Sequence, residues 1–269
     1  MLLRGEFMNY GNYGFVRVAA AVPRLSVADC KYNSENIIKM IKEADKLDIQ
    51  FVVFPELSIT AYTCGDLFHQ QLLLEQAARQ LGEILSGTGE SDIVAIVGMP
   101  LIVDNQLFNC AVVIQKGRII GVVPKEYIPG YSEFYEERWF APGSNSFSTV
   151  INLCGQEVPF GLDLLFECED DRRLCFGIEI CEDLWVPIPP SSHQAIAGAV
   201  LLFNLSASNE LVEKHNYRSE IVKQQSGRCI AGYIYSSCGV DESTTDVVFS
   251  GHAIIAENGG LLVESERFK

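Results

Sequence analysis

Phe51-Val52-Val53-Phe54-Pro55-Glu56 is a short apolar run, rich in β-branched and aromatic residues, that a proline stops and a carboxylate ends. Such a run reads as a buried strand. Upstream, Ile37, Ile38, Ile41, Ala44 and Leu47 fall on one face of a helix starting near Ser34, and residues 15–21 read as an earlier strand. Strand, helix and strand make a βαβ opening. Downstream the pattern predicts a helix over residues 70–85 and a strand over 92–100. Residues 107–124 then break the alternation, because Gln115-Lys116-Gly117-Arg118 is a turn between two apolar runs and predicts a hairpin. Further strands are expected at 147–153, 173–180 and 200–204, helices at 191–198 and 210–226, and a last hairpin over 247–264 closed at Asn258-Gly259. Mixed hairpins and βαβ units predict an α/β fold whose sheets contain antiparallel pairs, with helices outside.

The chain has 269 residues, 48% of them hydrophobic, enough for one large core, and no low-complexity linker divides it. We therefore expect a polar extension over residues 1–14 and one domain over 15–269. The formal net charge of −15 argues against a nucleic-acid partner or an anionic membrane surface, either of which needs a clustered basic face. Nine cysteines without a C-x-x-C pair suit a reducing compartment. The Gly/Asn/Tyr-rich start lacks the apolar segment of a signal peptide, so the expected location is cytoplasmic.

Three apolar runs each end on a different reactive residue. The first ends on Glu56, Ile119-Ile120-Gly121-Val122-Val123-Pro124 ends on Lys125, and Cys175-Phe176-Gly177-Ile178-Glu179-Ile180 ends on Cys181. Residues just past strand ends gather into sites in sheets packed against helices. Taken singly, each has an ordinary reading: a core thiol, a surface carboxylate, a solvated lysine. Their coincidence at three strand ends favours an amide-cleaving centre. His69, His193, His215 and His252 are scattered, with no zinc-site spacing and no Gly-x-Cys-x-Gly turn around the thiol, and neither a Walker nor a dinucleotide-binding fingerprint is present. If Cys181 is a nucleophile, a carboxylate is the expected base, and no metal is expected.

These residues carry a resemblance. Phe54-Pro55-Glu56-Leu57, Pro124-Lys125-Glu126-Tyr127 with Tyr131-Ser132-Glu133-Phe134, and Cys181-Glu182-Asp183-Leu184-Trp185 resemble the Glu, Lys and Cys motifs of the nitrilase (carbon–nitrogen hydrolase) superfamily. The stretch Cys181 to Pro190, Asn204-Leu205-Ser206-Ala207-Ser208 and the closing Glu264-Ser265-Glu266-Arg267-Phe268 are similar to the glutaminase domain of bacterial glutamine-dependent NAD synthetases. The resemblance implies a four-layer α-β-β-α sandwich that hydrolyses L-glutamine to glutamate and ammonia. It implies Glu56 as general base and acid, Cys181 as nucleophile, and Lys125 with the backbone N–H of Glu182 as oxyanion donors. Lys125 is also expected to favour the thiolate.

By the same resemblance Glu133 orients the lysine and lines the site, its ordinary alternative being a surface acid. Tyr131 and Ser208 match glutamine-contacting positions. The substrate α-carboxylate needs a cation, and some relatives carry arginine where this chain has Lys214; Arg218 lies one helical turn on. No cofactor is implied for this domain. ATP and deamido-NAD belong to a C-terminal synthetase domain, whose Ser-Gly-Gly-x-Asp-Ser loop does not occur in residues 1–269, so half of a homo-oligomeric enzyme is the expectation. A stand-alone amidase or carbamoylase, or a catalytically silent binding module, are the alternatives.

Overall fold

The computed structural model describes residues 14–169 and 173–269, so most of the expected N-terminal extension lies outside the described residues. The first half builds a five-stranded sheet in the order β1-β2-β3-β4-β5. Its strands are β1 (Val18–Ala20), β2 (Phe51–Val53), β3 (Val94–Val103), β4 (Gln106–Gln115) and β5 (Arg118–Pro124). β1, β2 and β3 are parallel, joined by α1 (Cys30–Lys46) and α2 (Gln71–Gly87), and β3, β4 and β5 are antiparallel. A small hairpin of β6 (Val150–Leu153) and β7 (Gln156–Pro159) follows, tied to β5 through a bridge between Val122 and Phe160.

The second half builds a six-stranded sheet in the order β13-β12-β11-β10-β9-β8. Here β8 (Phe166–Glu167) pairs antiparallel with β9 (Cys175–Ile180); β9, β10 (Leu201–Ser206) and β11 (Gly232–Ser237) run parallel. β12 (Ala253–Glu257) and β13 (Gly260–Glu264) close the sheet as a hairpin, and α3 (Pro190–Ile196) and α4 (Lys214–Cys229) cover it.

Strand side chains alternate between faces, so a sheet buried on both sides feeds two cores. Val52 and the β3 residues Ala95, Val97 and Met99 join Ile37, Ile41, Ala77 and Leu81 of the helices in one core. Phe51, Val53 and Ile96 turn the other way and meet Phe176, Ile178, Ile180, Phe203 and Ile234 of the second sheet. Leu202, Tyr233, Tyr235 and Ile254 pack under α3 and α4 with Val222. Three cores between four layers make the α-β-β-α sandwich.

Four hairpins share one turn chemistry. Asp104-Asn105, Lys116-Gly117, Cys154-Gly155 and Asn258-Gly259 each place two successive residues at positive φ, the two-residue geometry whose twist matches paired strands. The turns at 104–105 and 154–155, and strand β11, were not expected. The strand expected at 147–153 begins only at Val150, with Phe147 90% exposed. The helix expected from residue 210 begins at Lys214, after Glu213 at φ 66°, which leaves 209–213 as a loop. Residues 247–252 precede the last hairpin rather than forming its first strand.

Candidate active site

Glu56 lies three residues beyond β2, where the chain turns sharply and Leu57 takes a φ of 53°. The turn packs directly on β3. Ile59 donates its N–H to the Gly98 carbonyl at 3.1 Å, and the Gly98 N–H reaches Ser58 Oγ at 3.2 Å. A Cβ at Gly98 would lie 2.3 Å from the Leu57 nitrogen and 2.7 Å from the Pro55 carbonyl oxygen, so only glycine admits this approach. The Glu56 side chain is fully buried. Its Oε1 accepts from Lys125 Nζ and from Asn109 Nδ2, each at 2.6 Å, while Oε2 accepts from no protein group among the described residues.

Lys125 follows β5 directly and is also fully buried, its backbone N–H bonded to the Asn109 carbonyl at 2.8 Å. Its ammonium is shared between Glu56 and both carboxylate oxygens of Glu136, the latter at 2.8 Å. Tyr62 donates its hydroxyl to Glu136 Oε1 at 2.8 Å. The carboxylate that orients the lysine is therefore Glu136, not Glu133. The reason is local: residues 136–138 form a short 3-10 turn that tucks Glu136 inward, whereas Glu133 stays on the rim and accepts from Asn209 Nδ2.

Cys181 follows β9 directly and opens a short 3-10 helix, Cys181–Leu184, with a φ of 47°. This is a strained strand-to-helix turn of the kind that presents nucleophiles, reached here without flanking glycines. The Ala207 amide, just past β10, acts on the thiol in the direction that favours its ionised form. At the opening of that short helix the Glu182 N–H lies in the first turn, where amides lack intrahelical partners.

Burial sets the electrostatics. It pushes the Glu56 carboxyl up to about 7, against the pull of Lys125. It raises the Cys181 thiol well above its ordinary value, and the Glu56 charge adds to that more than Lys125 subtracts. The resting thiol is protonated, so the expected stabilisation of thiolate by Lys125 is outweighed. For Lys125, burial alone favours the neutral amine, but Glu136 and Glu56 overcome it and hold the ammonium.

Cys181 opens into a cleft of about 170 Å³ lined by Tyr131, Glu133, Phe134, Glu182, Trp185, Ser208 and Lys214 among others. Tyr131 donates its hydroxyl to Glu182 Oε1 at 2.8 Å. Lys214, the first residue of α4, donates to Asn209 Oδ1 and sits over the rings of Phe134 and Trp185, 5.6 and 5.4 Å from their centroids. Asn209 thereby joins the Lys214 cation to the Glu133 anion at one rim. Arg218 is not a second cation for the cleft: it is fully buried, paired with Glu210 at 2.8 Å and bonded to the Asn209 carbonyl at 2.9 Å. The three positions expected to contact substrate, Tyr131, Ser208 and Lys214, line the cleft, and so does Glu133, which was expected to orient the lysine and line the site. Sequence reasoning missed Glu136, Tyr62, Asn109 and Asn209. Among the described residues no group of three His, Cys, Asp or Glu could hold a metal ion, and no helix is long and apolar enough to cross a membrane.

The carbon–nitrogen hydrolase family model matches residues 17–269. The glutamine-dependent NAD(+) synthetase of Mycobacterium leprae (strain TN) is 40% identical over 263 residues, 98% of this chain and 38% of that protein. The enzyme of the same description from Aquifex aeolicus (strain VF5) is 30% identical over 88% of this chain and 38% of its own length. This chain thus spans about two-fifths of these relatives. Among solved structures, a glutamine-dependent NAD(+) synthetase from Cytophaga hutchinsonii superposes with a TM-score of 0.84 at 28% identity, over 94% of this chain and 41% of that one. An amidase from Nesterenkonia sp. shares the fold at 17% identity, with a TM-score of 0.71 over 93% of this chain and 86% of that one. With a family match running nearly end to end and a sandwich that its structural neighbours share, this chain belongs to the carbon–nitrogen hydrolase family.

Proposed function

We propose that this chain hydrolyses L-glutamine to glutamate and ammonia, with Cys181 as nucleophile, Glu56 as general base and acid, and Lys125 as oxyanion donor. The observation that carries this reading is one buried cluster. Lys125 is held between Glu56 and Glu136, the charges of all three act on Cys181, and Cys181 lines a cleft whose rim joins a cation and an anion. In this reading Glu56 takes the thiol proton as the sulfur attacks the side-chain amide carbon. Lys125 and the Glu182 N–H hold the oxygen that becomes negative, where one such donor contributes about 3 to 4 kcal/mol in other enzymes. Glu56 passes its proton to the departing nitrogen, and ammonia leaves a glutamyl thioester. Water, deprotonated by Glu56, then releases glutamate and restores the thiol. At the rim Lys214 faces the α-carboxylate and Glu133 the α-ammonium, with Tyr131 and Ser208 alongside.

The ammonia would serve a synthetase unit that uses ATP to amidate deamido-NAD to NAD. Support comes from the relatives, which are named glutamine-dependent NAD(+) synthetases and extend well beyond the matched region. The reading assigns no cofactor to this chain and places a cytoplasmic homo-oligomer as its setting. The test is incubation with a diazo-ketone analogue of glutamine followed by peptide mapping. A single adduct at Cys181, blocked by excess glutamine and absent in Cys181→Ala, is expected. Adducts spread over the nine cysteines, or an adduct indifferent to glutamine, would move the assignment to an amidase of another acyl group or to a silent module.

A further inference from the structure

Cys181 and Lys125 arrive from different sheets, Lys125 from β5 and Cys181 from β9. The space between those sheets is filled by Val53, Ala111, Val123, Phe176, Ile178 and Phe203. Apolar contact of this kind is strong but non-directional, and by itself it sets no ångström-scale register between two strand ends. One side chain does bridge the two ends with directional bonds. Asp183 is buried, with Oδ2 accepting the Ile180 N–H at 2.9 Å and Oδ1 accepting the Tyr127 N–H at 2.8 Å and the Glu126 N–H at 3.3 Å. Ile180 immediately precedes Cys181, and Glu126 immediately follows Lys125. Asp183 is absent from the residues lining the cleft, and each of these three partners is a backbone amide, so neither substrate contact nor ion pairing accounts for it.

We propose that Asp183 is a positioning residue: the two oxygens of its carboxyl group clamp the nucleophile turn to the lysine loop and so fix Lys125 over the place where the oxyanion forms at Cys181. This deepens the hydrolase reading above and rests on it. A shorter side chain, or one with a single oxygen, cannot serve both ends. Asparagine offers one oxygen, so an amide N–H at one end would face its NH2 group, and a buried donor left without an acceptor drives the two loops apart.

The test separates oxyanion formation from thiol access and does not depend on glutamine being the substrate. Acylation of Cys181 by p-nitrophenyl acetate passes through a tetrahedral oxyanion; alkylation by iodoacetamide does not. In Asp183→Asn, folded by circular dichroism, acylation should slow about 100-fold, the penalty of roughly an ångström of misplacement, while alkylation stays within about threefold of the parent. Where D183N does not fold, Asp183→Glu, which keeps both oxygens but lengthens the clamp by one methylene, should show the same split. Acylation at the parental rate, an equal loss in both reactions, or failure of both variants to fold would overturn the clamp. Failure of the parent to hydrolyse glutamine would overturn the glutaminase reading and leave this comparison intact.

Discussion

Lys125 holds one positive charge between two buried carboxylates, and the two differ in what they can do. Glu136 has both oxygens on the ammonium, whereas Glu56 keeps Oε2 unbonded and can take a proton there. Removing the Glu136 charge leaves Lys125 with Glu56 as its one carboxylate partner and forfeits two charge-assisted bonds, so Glu136→Gln should cost about 1 to 3 kcal/mol in chemical denaturation and lower kcat. Glu133→Gln, on the cleft rim, should change stability by under about 1 kcal/mol yet raise KM for glutamine about tenfold through loss of a charge-assisted contact. Equal losses in the two variants would reverse the assignment of lysine-holding to Glu136. The pH profile has a definite sign: Glu56 must be ionised to accept the thiol proton, and burial raises it to about 7. Therefore kcat/KM should fall as pH drops through about 7, and a profile flat down to pH 5 would exclude Glu56 as the base. Glu136 was not legible in sequence because it sits in an acidic run, Glu133 to Glu137, that reads as a solvated surface. Only the inward 3-10 turn distinguishes it from its neighbours.

The elements deliver these residues through close backbone approaches, the tightest being the Glu56 turn on β3. In Gly98→Ala the new Cβ meets backbone atoms of Pro55 and Leu57, which cannot swing aside as a side chain would. The variant should lose about 1 to 3 kcal/mol and most of its turnover, because the Glu56 loop must shift away from Lys125. Full activity would mean that the loop position does not matter. At this scale the sequence was informative where period and punctuation agreed. The runs before Glu56, Lys125 and Cys181 are short, predominantly apolar and end sharply, so β2, β5 and β9 were legible, as were the turns containing Gly117 and Asn258-Gly259. β11 was missed because Gly232-Tyr233-Ile234-Tyr235-Ser236-Ser237 mixes hydroxyls with aromatics, although Tyr233 and Tyr235 are fully buried under the outer helices. The β3–β4 turn was missed because Asp104-Asn105 holds its left-handed pair without glycine, as short polar side chains permit. Residues 210–213 were expected to open the helix, but Arg218 takes the Ser208 and Asn209 carbonyls as acceptors and the chain stays a loop up to Lys214. That loop is what brings Asn209 to the cleft rim.

Across the whole molecule the two sheets are joined by apolar packing and by a few buried acids, and those acids make stability depend on pH. Glu242, in the short helix after β11, is fully buried and accepts the Tyr62 N–H at 2.7 Å and the Gly239 N–H at 3.3 Å. It thus ties the second sheet to the segment that carries Tyr62 onto Glu136. Burial raises its carboxyl to about 7 from an ordinary 4.5. A group whose folded value is raised stabilises the fold fully below its unfolded value and loses that contribution as pH climbs through the folded value. Glu56, raised to about 7, and Asp183, raised by burial to about 8, act in the same direction. His252, lowered by burial and by Arg218, opposes them by favouring the fold as pH rises. Glu242→Gln isolates one contribution, because glutamine does not titrate and its misdirected NH2 adds a cost that is constant with pH. The parent should exceed this variant in Tm by more at pH 4.5 than at pH 8, the gap narrowing through pH 7 by on the order of 3 kcal/mol, or several degrees in a chain of this size. A gap that stays constant or widens with pH would mean that Glu242 is ionised throughout, held by its two amides against its burial.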